Sequence, residues 1–237
     1  MHVKIKGHRI IQFVSSLSLL GFLTLVYLKD SLRTLDMNVN SWSHLIHASW
    51  FTQMAEMLAY GFDTPVLLAI SMLMAVILFY KSSRGKSALM MGTMVGNTVM
   101  LQVVKVLVHS PRPLNGLMFE EGFSFPSGHV ASCTVFFGLL TYIGWQRWKS
   151  LKAKLLFNMF LAAIALILGF SRIYLNVHWL SDVLGGYFLG AFWLTFSVLV
   201  FQYSKHRIPH LHKCSSHFTL KGEGEGFEKL MEGKHNP

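Results

Sequence analysis

Negative charge is what this sequence has least of. Its 237 residues include 11 aspartates and glutamates against 21 lysines and arginines, and only 14% are charged. The scarcity is regional: charges fall in clusters separated by long stretches that carry none. That is the distribution of a membrane protein, because a charge at bilayer depth is costly. Cysteine is nearly absent, with Cys133 and Cys214 alone, and no internal repeat is present. The basic excess does not mark a nucleic-acid partner, because the basic residues are scattered over short separate turns rather than gathered on one face with aromatics.

What remains between the charge clusters is six apolar stretches: Ile10 to Leu28, about Met57 to Tyr80, Ser87 to Val104, Val130 to Trp145, Leu155 to Phe170 and Val183 to Ser204. Crossing a bilayer takes about 20 residues of helix, so the shorter stretches draw on their flanks. The expected fold is all-α, a polytopic membrane domain of six transmembrane helices over residues 1–204. A basic tail, 205–237, follows, and its glycine- and charge-rich composition predicts a disordered segment. The first stretch comes after basic "MHVKIKGHR", as in a signal peptide. Its 19 uncharged residues exceed a secretory core and no small-x-small cleavage site follows, so it reads as a retained anchor.

Sixteen of the 21 basic residues lie at the N-terminus, in the 81–87 and 146–154 turns, and in the tail. By the positive-inside rule both termini are cytoplasmic, and the alternate connections, with Lys29, Arg33, Lys105, Arg112 and Arg172, face outward. This topology separates Cys133 from Cys214 and excludes a disulfide between them. The net charge of +10 is then a topology signal and an attraction to anionic lipid. In the first outer connection, 29–56, "SWSHLIHASWFTQMAEML" has apolar residues at helical spacing with Trp42 and Trp50, which predicts a short interfacial helix. Gly92-x-x-x-Gly96 and Gly186-x-x-x-Gly190 let helices approach closely within one chain, without invoking a dimer. His210-x-His212, with His206 and His217, could hold a metal but reads as part of a solvated tail.

Three outward groups break the bland pattern. In "KVLVHSPRP", Lys105 ends a span and Pro111 and Pro113 fix the chain around Arg112, so a point charge and a guanidinium fork stand ready for phosphate oxygens. In "FSFPSGHV", Ser127 can cap the helix that starts there. Gly128 lets the backbone approach a ligand, and His129 projects from the first turn. In "SRIYLNVHWLSD", His178 and Asp182 are four apart on one helical face, where an aspartate fixes the tautomer of an imidazole, and Arg172 adds a third cation. Snorkelling cations, an ordinary cap and a structural ion pair would each explain one group. All three on one side of the membrane supply the parts for phosphoryl transfer without a metal.

Lys105-x6-Arg112-Pro113, Pro126-Ser127-Gly128-His129 and Ser171-Arg172-x5-His178-x3-Asp182 together resemble the three-part signature of the type 2 phosphatidic acid phosphatase superfamily. The resemblance spans residues 105 to 182. It implies an integral-membrane lipid phosphate phosphatase that needs no metal or other cofactor. His178 would be the nucleophile that forms a phosphohistidine, and Asp182 would orient it. His129 would protonate the leaving oxygen and then activate water. Lys105, Arg112, Ser127, Gly128 and Arg172 would hold the phosphoryl oxygens. The membrane setting implies a lipid substrate reached from the bilayer: phosphatidic acid, phosphatidylglycerol phosphate or undecaprenyl diphosphate. A bacterial plasma membrane, with the site facing outward, is the natural home. The same residues would serve a lipid-diphosphate-dependent phosphotransferase. A non-catalytic lipid-binding or transport protein would need only the cations. Glu120 and Glu121, in the loop before Ser127, read as solvated charges.

Overall fold

The computed structural model describes residues 2–81, 83–145 and 149–207. The described residues up to Leu199 form one compact unit, and the site described here belongs to it. Among the described residues there are eight helices: α1 (His2–Tyr27), α2 (Arg33–His44), α3 (Ser49–Gly61), α4 (Thr64–Tyr80), α5 (Arg84–Val108), α6 (Gly128–Gly144), α7 (Leu151–Tyr174) and α8 (Leu180–Arg207). The all-α class holds, but six full spans are not what the helices give. By length and composition α1, α5, α7 and α8 can cross a membrane, and α3 with α4 makes a fifth only as a broken span bent by 48°. The α6 helix is apolar but shorter, with 17 residues.

The break between α3 and α4 has a local cause. The Asp63 side chain accepts from the Thr64 N–H at 2.6 Å, and Pro65 occupies the first turn of α4. An aspartate cap followed by a proline starts a helix and does not continue one. The outer connection likewise holds two helices, α2 and α3, where one was expected; the chain pauses at 45–48. The tail from 208 onward, with His210, His212, His217 and Cys214, lies outside the described residues.

Within the bundle α4 packs on α5, both pack on α6, and α7 packs on α6, α3 and α2. Phe125, Val130, Leu139, Leu168 and Tyr174 are fully buried at its centre. Many large apolar side chains on α1, α4 and α7, among them Phe13, Leu20, Leu73 and Leu156, face outward, as a lipid-facing surface requires. The two glycine pairs differ. A Cβ on Gly92 would meet nothing within 4 Å and one on Gly96 would run into the Trp193 side chain, whereas one on Gly186 would lie 2.8 Å from the Ser127 carbonyl and one on Gly190 2.8 Å from the Ala131 carbonyl. The second pair therefore lets α8 lie directly on the start of α6, which brings Asp182 beside Ser127.

Candidate active site

Three connections converge where α6 begins. The first runs from α5 to α6. The α5 helix ends at His109, whose left-handed backbone (φ 52°) turns the chain out, and Pro111 and Pro113 keep it from resuming. Arg112 is then clamped: Nε donates to Gly122 O at 3.1 Å, Nη2 to Glu121 O at 3.1 Å and Nη1 to Val177 O at 2.9 Å. Burial pulls this guanidinium below its ordinary pKa while Glu120 pulls it back up. It stays a cation, since arginine keeps its proton in proteins.

The second connection joins α7 to α8 and carries His178, buried with 2% exposure. Its Nε2 is 3.3 Å from Arg112 Nη1. A guanidinium can only donate, so Nε2 must be the nitrogen with the lone pair and Nδ1 the one with the proton. Nδ1 faces Asp182 Oδ2 at 3.5 Å, a close contact without hydrogen-bond alignment. Burial pushes the His178 imidazole down to about 4, against the upward pull of Asp182, so it is neutral at ordinary pH. Asp182 is fully buried. Its Oδ2 accepts from the Trp179 N–H at 2.8 Å, and Lys29 Nζ donates to its Oδ1.

The third element is the N-terminus of α6. Ser127 is at the cap position, but its hydroxyl does not cap the helix, contrary to expectation. Its Oγ is buried without a partner, while its backbone N–H donates to Asp182 O at 3.0 Å and ties the second motif to the third. Leaving a buried hydroxyl unsatisfied costs about 1–3 kcal/mol. A Cβ on Gly128 would meet only Thr64 Oγ1 at 3.8 Å, so packing does not demand a glycine there. His129 is buried between two carboxylates, with Nε2 3.3 Å from Asp63 Oδ1 and Nδ1 4.0 Å from Glu120 Oε1.

Glu120 is the centre of this arrangement rather than a solvated loop charge. Its oxygens lie 3.4 Å from Arg112 Nη2 and 3.5 Å from Arg172 Nη1. Arg172, from the end of α7, is fully buried. Lys105, half-buried on α5, lies within electrostatic range of Arg112, Glu120, Asp182 and Asp63. All eight residues singled out in the sequence thus lie around one locus.

Four partners went unseen in the sequence: Lys29, Asp36, Asp63 and Glu120. The scarcity of acid was a usable signal. Only seven acidic residues precede the tail, and Asp36, Asp63, Glu120 and Asp182 are four of them.

Known proteins share this sequence pattern and this fold. The pattern of the PAP2 superfamily matches residues 85–206. Phosphatidylglycerophosphatase B of Bacillus subtilis is 26% identical over 163 residues, 68% of this chain and 80% of that protein. Dolichyldiphosphatase of Saccharomyces cerevisiae is 32% identical over 104 residues, but these are 40% of this chain and 43% of that one. In fold, the chain is similar to the crystal structure of a transmembrane PAP2 type phosphatidylglycerolphosphate phosphatase from Bacillus subtilis. The TM-score is 0.74 at 24% identity, over 84% of this chain and 99% of the other. With the family pattern matched along half its length, this chain belongs to the PAP2 superfamily, as a membrane enzyme of a metal-independent hydrolase family that acts on lipid phosphates.

Proposed function

We propose that the protein removes the terminal phosphate of a lipid phosphate or diphosphate by way of a phosphohistidine on His178. The observation that carries this reading is the contact between Arg112 Nη1 and His178 Nε2 at 3.3 Å. It leaves the lone pair of a neutral imidazole beside the guanidinium that would hold a phosphoryl oxygen. His178 Nε2 attacks phosphorus, the bond from phosphorus to the lipid oxygen breaks, and His129 gives that oxygen a proton. Water, deprotonated by His129, then attacks phosphorus; the P–N bond breaks, free phosphate leaves and His178 returns to its neutral form.

Arg112, Arg172 and Lys105 would carry the negative charge that builds on the phosphoryl oxygens. The unpartnered Ser127 hydroxyl and the space beside Gly128 would complete the cradle. That a carboxylate, Glu120, already sits against two guanidinia supports the cradle's preference for an oxyanion.

The membrane setting supports a lipid substrate: phosphatidic acid, phosphatidylglycerol phosphate or undecaprenyl diphosphate. The positive-inside distribution of lysine and arginine supports six spans, with α6 and the broken α3 to α4 segment counted, both termini cytoplasmic and the site on the outer face. The test is phosphate release from these three lipids and from glucose 6-phosphate, by purified protein in buffer with a chelator. Release from a lipid and none from the sugar phosphate is expected. Preference for the sugar phosphate would overturn the lipid assignment, and phosphate appearing on an added acceptor instead of in solution would overturn hydrolysis.

A further inference from the structure

Asp182 has two oxygens, of which Oδ2 faces His178 Nδ1 and the Trp179 N–H. The other, Oδ1, accepts from Lys29 Nζ. Lys29 lies in the connection between α1 and α2, outside residues 85–206 that match the family. The same ammonium donates to Ser181 Oγ at 2.7 Å and stands 4.7 Å from the centre of the Phe125 ring. Asp36, at the start of α2, accepts from the Ser181 N–H at 2.9 Å and from the Ser181 Oγ–H at 2.6 Å. The short segment from Lys29 to Asp36 thus grips both residues at the start of α8.

We infer that Lys29 is a positioning residue for the reaction, holding the Asp182 carboxylate charged and turned so that Oδ2 faces the Trp179 N–H and His178 Nδ1. The inference rests on the proposed roles of His178 and Asp182. A fully buried carboxylate without a counter-charge takes up a proton or turns toward another donor. Either change removes the acceptor from Nδ1 and frees the imidazole to adopt the wrong tautomer. The charged and titratable groups around Asp182 are Lys29 from the α1–α2 connection, His178 from the α7–α8 connection, Lys105 from α5 and Arg112 from the loop that follows α5. Of these four, Lys29 is the one that hydrogen-bonds a carboxylate oxygen directly. The aromatic face of Phe125 and the hydroxyl of Ser181 hold the ammonium in place, so it is a fixed charge rather than a passing one.

The test compares the full-length wild type with Lys29→Met, Lys29→Arg, Asp182→Asn and the Lys29→Met/Asp182→Asn double variant. Each is assayed on whichever of short-chain phosphatidic acid, phosphatidylglycerol phosphate and undecaprenyl diphosphate the wild type turns over fastest. For Lys29→Met, kcat should fall by about 10- to 100-fold, the range for groups that orient a catalytic side chain from behind, with KM changed by less than about threefold. Lys29→Arg should recover most of the loss. The double variant should be no slower than Asp182→Asn alone, because Lys29 acts through Asp182.

An unchanged kcat in Lys29→Met, or losses that multiply in the double variant, would overturn the inference. Should Lys29→Met not fold, Lys29→Gln, which keeps a donor for Ser181 but not the charge, carries the same expectation. A wild type that forms no phosphoenzyme during turnover sinks the proposed mechanism itself, an outcome distinct from a wild type that forms one and a Lys29→Met variant that forms it equally fast.

Discussion

Glu120 holds its Oε1 3.5 Å from Nη1 of Arg172, a guanidinium that is otherwise fully buried. A loop carboxylate therefore lies where the proposed mechanism puts a phosphoryl group, and any anion that binds must displace it. Glu120→Gln weakens that competition without removing the side chain's volume. Inorganic phosphate should then inhibit more strongly, with its inhibition constant lowered about fivefold, equivalent to ~1 kcal/mol, the scale of a partly exposed charge pair. Competitive inhibition by phosphate measures this, and an unchanged constant would make Glu120 a bystander.

Asp63 and His129 form the second carboxylate–imidazole pair, at 3.3 Å. Asp63→Asn separates its two duties, because asparagine caps a helix about as well as aspartate but carries no charge to draw a proton onto the imidazole. The fold should hold while His129 is less often protonated, and so less available as the acid of the first step, and is a weaker base in the second. Both half-reactions should slow, by about tenfold, a modest part of the effect of a general acid–base group. In rapid-quench experiments the phosphorylated fraction shows where the block lies: it should rise if water attack is the slower step. Wild-type rates in Asp63→Asn would leave Asp63 as a helix cap alone.

The sequence carried the site further than it carried the scaffold. Lys105, Arg112, Ser127, Gly128, His129, Arg172, His178 and Asp182 were legible because each breaks a local rule: a cation at a span boundary, prolines around an arginine, a histidine at a greasy helix mouth. Their partners were not legible. Lys29 meets Asp182 across 153 positions, and no spacing within a helix announces such a contact. The broken span was readable in part, since "DTP" at 63–65 is a cap and a proline inside an apolar run. Ser127 misled in the other direction: its position was that of a cap, but its backbone N–H is engaged with Asp182 O and its hydroxyl is left unpaired.

Burial sets the pH behaviour of His178. Its imidazole falls from an ordinary 6.5 to about 4, so the nucleophile stays neutral in the folded protein well below pH 6.5. The acid limb that His178 imposes on kcat/KM should lie near pH 4. Between the two values the unfolded chain binds a proton that the folded site refuses, so stability falls as pH drops through that window, by at most about 3 kcal/mol. Thermal unfolding in detergent from pH 7 to 4.5 should show this loss in the wild type and a smaller one in His178→Asn. Equal slopes would mean that His178 is not held neutral by its surroundings.

The most direct test of the mechanism is to quench the enzyme during turnover of a lipid phosphate labelled with 32P at its terminal phosphate, and to map the label. An acid-labile, base-stable phosphohistidine at His178 is predicted, absent from His178→Ala together with turnover. Label on another residue, or turnover that persists in His178→Ala, would contradict it.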